Sequence, residues 1–465
     1  MLQLPCLAAV VVTLMASCAS GDTGYFWHVT DFHYDFTYWD HQLSCNNNVT
    51  NPGPLGDYWC DSPWRLVTDT IAAMGDIKSD VDFLIWTGDT VAHIEDEHLN
   101  VSLNMEIMQN LTDALDSGFP NKTIYATFGN HDYHPTNQFP ATGSEIYNRT
   151  AEMWKKWIQE EEQMNNFRKG GYYTKSIWPN LRIVGLNTNL YYTSDKVTVN
   201  IPDPTGQLAW LSQTLQNAKN KTEKVIVTAH IPPGVHTPSR VVWFQEAFVA
   251  PFMTIISNFS DIIVGMHFGH DHHDGFKVFY DSQGQPAVPL FVAPSVTPWR
   301  YKLKTGEIGP PHNPAVRLVS FDRTSGKHLN IQQYRLDLPQ GNLQKKANFT
   351  LLYNFTQQYQ VNDITAASLH ELTVRMKRVN SEGDQLVNDY YRFTTADAVQ
   401  EDSAKTCDSV CQSRIRCGLT DHLMGSFDAC VAKYTTDTSA SHNLISVDLV
   451  LLLLMTCLSM ELFFN

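Results

Sequence analysis

Apolar residues in this chain fall into short runs of two recurring kinds. Residues 25–30, 81–87, 123–128, 182–187, 224–229 and 261–266 are compact, rich in β-branched and aromatic side chains, and too short for buried helices. Such runs predict strands. Between them the apolar spacing changes to three and four, which predicts helices over 63–74, 100–115, 145–164, 206–219 and 243–256. Residues 290–293 and 316–321 read as two more strands that close the sheet. Strand and helix alternating in this way predict a layered α/β fold. From about residue 340 the pattern turns helical, over 347–359, 366–379, 385–393 and 419–434. Residues 21–339 are therefore expected to form the main domain and 340–435 a small helical C-terminal region. No repeat of fixed period and no low-complexity stretch interrupts this order.

What stops the strands carries the chemistry. The apolar runs end at Asp31-Phe32-His33, Gly88-Asp89, Gly129-Asn130-His131-Asp132, His230 and Gly269-His270-Asp271-His272. Open α/β sheets place their ligands at the carboxyl ends of strands. Asp31 and His33 stand two apart, so on an extended chain they face the same side. Gly88 lets the backbone turn tightly before the carboxylate. Carboxylates, an amide and imidazoles are hard or borderline metal ligands, the set that suits zinc. Two cations 3.5–4 Å apart can neutralise a phosphate ester and activate water, and they need a shared carboxylate. Asp89 is the candidate bridge. Asp271 and His273 occupy alternate positions of their turn and are not read as ligands. Trp154 and Trp157 read as helix packing.

Taken together, these blocks resemble the calcineurin-like metallophosphoesterases and, within them, the acid sphingomyelinase-like phosphodiesterases. Asp57-Tyr-Trp-Cys-Asp-Ser-Pro-Trp64, Asn130-His-Asp-Tyr-His-Pro-Thr-Asn-Gln-Phe-Pro140, Leu186-Asn-Thr-Asn-Leu-Tyr-Tyr192 and Val296-Thr-Pro-Trp299 extend the resemblance over nearly the whole mature chain. It implies a metallophosphoesterase fold of β-sheets sandwiched by helices, with a disulfide-stapled helical C-terminal region. It implies two zinc ions per chain, one on Asp31, His33, Asp89 and His272, the other on Asp89, Asn130, His230 and His270. It further implies a metal-bridging hydroxide as nucleophile, with His131 as general acid or stabiliser of the departing oxygen. Asp132 would orient His131, His93 would help bind the phosphate, and His134 would contact the substrate. Relatives that hold ferric iron carry a Tyr three residues after the bridging Asp; Ala92 stands there, so iron is not expected.

The two ends and the cysteines bear on where such an enzyme works. Residues 1–20 read as a secretory signal, with an apolar core and small residues at Ser17-Cys18-Ala19. At the other end, small residues Ser439-Ala440-Ser441, a polar spacer and a terminal apolar tail are the pattern of a glycosylphosphatidylinositol anchor signal over 440–465. A transmembrane tail is the alternative. Six cysteines fall between these segments: Cys45, Cys60, Cys407, Cys411, Cys417 and Cys430. An even set in a secreted chain predicts disulfides, Cys45 with Cys60 and two bridges within the last four. Asn48, Asn100, Asn110, Asn121, Asn148, Asn220, Asn258, Asn348 and Asn354 begin glycosylation sequons.

A formal charge of −15 with no basic stripe argues against a nucleic-acid polymer as partner. The first expectation is thus a zinc phosphodiesterase on the outer face of the plasma membrane, or secreted, acting on small phosphodiesters, anhydrides or nucleotides. Cleavage of the phospholipid sphingomyelin to ceramide and phosphocholine is a second reading. A membrane-anchored lipid-binding regulator of receptor signalling is a third, from outside the enzymes.

Overall fold

A computed structural model describes residues 22–46, 49–300, 308–398 and 407–434. The signal segment, the apolar tail and the sequon at Asn48 lie outside the described residues. Among the described residues fourteen strands follow in order: β1 Thr23–Val29, β2 Phe83–Trp86, β3 Thr123–Ala126, β4 Tyr173–Trp178, β5 Leu181–Gly185, β6 Lys224–Thr228 and β7 Val235–His236. The remainder are β8 Val241–Val242, β9 Ile263–Phe268, β10 Gly275–Tyr280, β11 Pro286–Val292, β12 Ala315–Asp322, β13 His328–Leu336 and β14 Phe349–Asn354. They make two six-stranded sheets, not one. The first runs β14-β13-β12-β1-β2-β3 and the second β10-β11-β9-β6-β5-β4, with β7 and β8 a small separate hairpin.

Alternation along the strands explains why the sheets stack. Phe26 and His28 of β1 point one way and Trp27 and Val29 the other, as a pleated strand requires. The first face meets the second sheet, with Phe26 against His267 and Trp178 against Phe83 and Phe321. The opposite face meets helix Trp64–Lys78, where Trp27 Nε1 donates to the Lys78 carbonyl at 2.9 Å. Helices Gln207–Asn220, Glu246–Asn258 and Ala366–Met376 pack on the second sheet. Strands buried on both faces read as unbroken apolar runs, which is how the sequence shows them. Mixed sheets flanked by helices are the expected layered architecture.

Three local expectations are corrected. The helix expected over 145–164 is three pieces, Glu145–Met153, Lys155–Ile158 and Glu161–Gly170. Gln159 stands at φ 64, a left-handed conformation that cannot continue a right-handed helix. Residues 347–359 are not one helix. They form β14, paired antiparallel with β13, and then the short helix Phe355–Tyr359 capped by the Asn354 side chain. The region expected to be helical from 340 therefore begins in the short helix Leu338–Gln344 and then adds a strand to the first sheet. Helix Ser409–Gly418 was not expected; Asp408 caps it by accepting from the Cys411 N–H at 2.8 Å.

The disulfides are Cys45–Cys60, Cys407–Cys411 and Cys417–Cys430. Asn100, Asn110, Asn121, Asn148, Asn220, Asn258 and Asn348 are exposed, while Asn354 is half-buried. No helix among the described residues is long and apolar enough to cross a membrane.

Candidate metal centre and active site

Five parallel strands from the two sheets deliver the candidate residues. In the first sheet β1, β2 and β3 are parallel and release Asp31-x-His33, Asp89 and Asn130-His131 past their carboxyl ends. In the second, β6 and β9 release His230 and His270-x-His272. The last turns are sharp. Asp31, His33, Asp89, His270 and His272 have φ between 41° and 70°, a region that non-glycine residues avoid and that clusters at functional sites. Asp31 and His33 thus converge through left-handed turns, not through the strand alternation expected from their spacing. Gly129 permits the closest approach: a Cβ there would lie 2.0 Å from Asp89 Oδ1.

The side chains meet in a buried cluster. His33 Nδ1 donates to the Val91 carbonyl at 2.7 Å, and His230 Nδ1 to the Thr87 carbonyl at 2.6 Å. Each bond fixes its ring and leaves Nε2 bare toward the centre. Asp89 Oδ2 lies 3.4 Å from His33 Nε2 and 3.1 Å from His230 Nε2, so one carboxylate oxygen faces both. Asp31 Oδ1 lies 3.6 Å from His33 Nε2 and 3.4 Å from His272 Nε2, and takes no hydrogen bond. Asn130 Oδ1 stands 3.0 Å from His230 Nε2 and 2.8 Å from His270 Nδ1. Asp31-His33-Asp89 and Asp89-His230-His270 each place their ligand atoms within 4.8 Å of one another, and His33-His93-His272 form a third such group.

Electrostatics point to a cation-binding site. Asp31 and Asp89 are both fully buried, and no Lys or Arg lines the cleft among the described residues. Burial alone would lower the imidazole of His33, yet Asp31, Asp89 and Asp61 push it up to about 9. Burial is likewise outweighed at His230, raised to about 9 chiefly by Asp89. Paired buried carboxylates need a cation to offset desolvation. The residues present therefore fit two divalent metals sharing Asp89, as Asp31 Oδ1 without a donor also indicates.

The remaining expected residues divide. His131 is held by its backbone N–H on Asp89 Oδ1 at 2.8 Å, with its ring 4.5 Å from His93. Burial, then His93, holds its imidazole well below the ordinary value. Asp132 was expected to orient His131, but its carboxylate accepts from the N–H groups of Gly129, Asp89 and Thr90 instead. It ties the β2 and β3 loops together, and His131 Nδ1 has no partner. His93 stacks on Trp299 with ring centroids 4.3 Å apart. His134 does not line the cleft; its Nδ1 faces Asp96 at 3.7 Å. Trp154 and Trp157 are buried packing residues. Asp271 accepts from Trp243 Nε1, and His273 turns toward His236.

Sequence reasoning missed several supporting side chains. Asp61, fully buried, accepts from the His93 backbone N–H at 2.6 Å and pairs with His93 Nδ1 at 3.0 Å. Its one signal was its place beside Cys60 in the Asp57-to-Trp64 block. Asn137 accepts from Asn130 Nδ2 at 2.8 Å, which turns Asn130 Oδ1 inward. Tyr192 and Trp243 each meet the His270 ring edge to face.

The comparisons with known proteins agree with this geometry. Residues 24–274 match the calcineurin-like phosphoesterase family and residues 285–437 the acid sphingomyelin phosphodiesterase C-terminal region. The chain is 36% identical over 425 residues to acid sphingomyelinase-like phosphodiesterase 3b of Homo sapiens, covering 89% of this chain and 91% of that one. It belongs to the acid sphingomyelinase-like phosphodiesterase family. A second relative in the family, cyclic GMP-AMP phosphodiesterase SMPDL3A of Homo sapiens, is 37% identical over 85% of this chain and 87% of its own. Sphingomyelinase phosphodiesterase C of Dictyostelium discoideum is 29% identical over 88% and 93%. This acid sphingomyelinase-like phosphodiesterase is a metallophosphoesterase-type hydrolase of phosphodiesters, of a family that implies a dinuclear metal site.

Proposed function

We propose that the protein is a zinc-dependent phosphodiesterase of the outer cell surface, hydrolysing small soluble phosphodiesters or phosphoanhydrides, nucleotide-type ones included. One observation carries the reading: Asp89 Oδ2 faces His33 Nε2 and His230 Nε2 together, at 3.4 and 3.1 Å. Asp31, His33, Asp89 and His272 would hold one zinc, and Asp89, Asn130, His230 and His270 the other. A bound zinc pair supplies Lewis acidity, neutralising charge on phosphorus oxygens and making water a competent nucleophile near neutral pH.

The chain's own residues do the rest. Asp132 fixes the backbone on both sides of Asp89, which keeps that carboxylate between the two histidines. Asn137 orients Asn130. Asp61 holds His93 against Trp299, where its ring faces the cleft and contacts a phosphoryl oxygen. His131, kept neutral by burial, offers a ring N–H to the departing oxygen. A secretory signal and a glycosylphosphatidylinositol anchor would place this site outside the cell, consistent with three disulfides.

The test is made on purified full-length protein. Bound zinc and turnover of bis(p-nitrophenyl) phosphate are measured with and without a chelator, beside sphingomyelin in detergent. Zinc near two per chain and chelator-sensitive turnover of the soluble diester are expected. A folded, metal-free protein, or turnover indifferent to chelator, would sink the reading; sphingomyelin turnover alone would make it a lipid hydrolase. Phosphatidylinositol-specific phospholipase should release the protein from cells, whereas retention would mean a transmembrane tail.

A further inference from the structure

A cleft of about 290 Å³ opens over the candidate metal ligands, and His236, Ser239, Val241 and Trp243 form part of its wall. They lie on or just beyond the β7–β8 hairpin, which joins neither six-stranded sheet. A lone two-stranded hairpin does not hold its place in water. Its support comes from the C-terminal region. Val235 is buried against Cys417 and Phe427, and Val242 packs on the same cluster, apart from the main core. Arg414 donates to the Pro238 carbonyl at 3.0 Å, and Arg240 gives two bonds to the Asp428 carboxylate at 2.7 and 2.6 Å. Gly418, at the end of helix Ser409–Gly418, lets that helix close on the hairpin; a Cβ there would lie 2.2 Å from Thr237 Cγ2.

One buried group joins these parts. Lys277 of β10 is 6% exposed, and its ammonium donates to the Val235 carbonyl at 2.6 Å and to the Gly418 carbonyl at 3.1 Å. The second acceptor ends a helix, where the carbonyl end of the dipole favours a cation. Burial pulls the ammonium down to about 8, against the charge of Asp271. Burying a charged amine is costly, and an apolar side chain would fill the same space without that cost. The ammonium is therefore there to hold the two carbonyls. We propose that Lys277 is a positioning residue for phosphodiester hydrolysis: it locks the hairpin wall of the cleft to helix Ser409–Gly418, so that the C-terminal helices set how a substrate seats over the metal ligands. The proposal rests on the phosphodiesterase reading and adds a residue to it. Lys277 does not line the cleft. Its removal shifts a wall that meets substrate and transition state alike, which raises KM and spares kcat.

Full-length wild type, Lys277→Met and Asp428→Ala are compared on bis(p-nitrophenyl) phosphate. Zinc content, thermal unfolding and backbone hydrogen exchange over residues 234–243 are measured on each. Lys277→Met, of similar volume but without a donor, should raise KM about 10-fold, the scale of one hydrogen bond to a charged group, with kcat and zinc unchanged. Exchange in the hairpin should quicken. Asp428→Ala removes a half-exposed pair at the other end of the hairpin and leaves the core intact. It should raise KM about 2-fold, as such a pair allows, and it decides alone if Lys277→Met does not fold. Wild-type KM in both variants would overturn the proposal, even where unfolding comes earlier or exchange quickens, because Lys277 would then only stabilise. Loss of zinc, or of kcat at unchanged KM, would overturn it by placing the effect at the metal ligands. Absence of wild-type turnover would instead sink the phosphodiesterase reading, while unchanged exchange in both variants would sink the lock itself.

Discussion

Two groups of histidines, among the described residues, differ in what surrounds them. His33, His230, His270 and His272 gather at the strand ends around Asp31 and Asp89. His28, His267 and His328 gather between the two sheets, all fully buried, with His267 and His328 bonded through their Nε2 atoms at 2.8 Å. Phe26 and Phe291 pack on these rings. Carboxylates push His33 and His230 up to about 9, while burial holds His270 and His272 well below the ordinary value. Burial pushes all three inter-sheet histidines down, His328 to about 4. After burial, Arg317 lowers His28, while His28 and His328 come before Arg317 in lowering His267; Arg317 is itself paired with Asp274. A buried histidine beside carboxylates asks for a cation; one beside rings stays a neutral packing group. The residue type is the same, and its neighbours set its role.

The sharpest break of this contrast is Asp89→Asn. Removing the shared charge should abolish turnover and release both metals, which metal analysis of the folded variant checks; retention of two zincs would mean that Asp89 is no bridge. His131→Ala should cut turnover by roughly 10²–10⁴ while zinc content holds, as loss of the group that serves the departing oxygen does. Zinc loss in that variant would make His131 a ligand. Asp61→Asn should lower kcat/KM by about 10–100-fold, the usual scale for an outer partner of a site histidine. If zinc is lost with it, then His93 belongs to the metal group that it forms with His33 and His272.

In the other cluster, His328→Gln should leave kcat and zinc unchanged and cost about 1–3 kcal/mol of stability by disturbing the His267 bond. It should also flatten the acid side of the stability profile. His328 is lowered in the folded state, to about 4 from 6.5. As pH falls from 6.5 toward 4, the unfolded chain binds a proton that the folded chain refuses, so wild-type stability falls. A variant profile as steep as that of wild type would remove His328 from this account.

Much of this is legible in the amino-acid sequence. Each metal-type block follows a short apolar run, because a strand must be buried while its end opens into a cleft, and that contrast is written in neighbouring residues. Edge and junction segments were less legible. Residues 349–354 have only Phe349 and Tyr353 buried, so their pattern is weak until β13 supplies a partner. Asp61 and Asn137 come from loops whose apolar periodicity says nothing of where they fold.

By itself, the amino-acid sequence determined the layered α/β class, the five ligand-bearing strand ends, the even cysteine set and the family. Those are properties of neighbouring residues and of their order. Tertiary structure alone decided that the strands divide into two sheets, that Asp89 faces histidines from both, and that Asp132 clamps backbone and leaves the His131 ring free. It alone separated the histidines that face carboxylates from those that face rings. The physical reason is that burial, charge and hydrogen bonding act through space, between groups such as His33 and His272 that lie far apart along the chain and 3.2 Å apart in the fold.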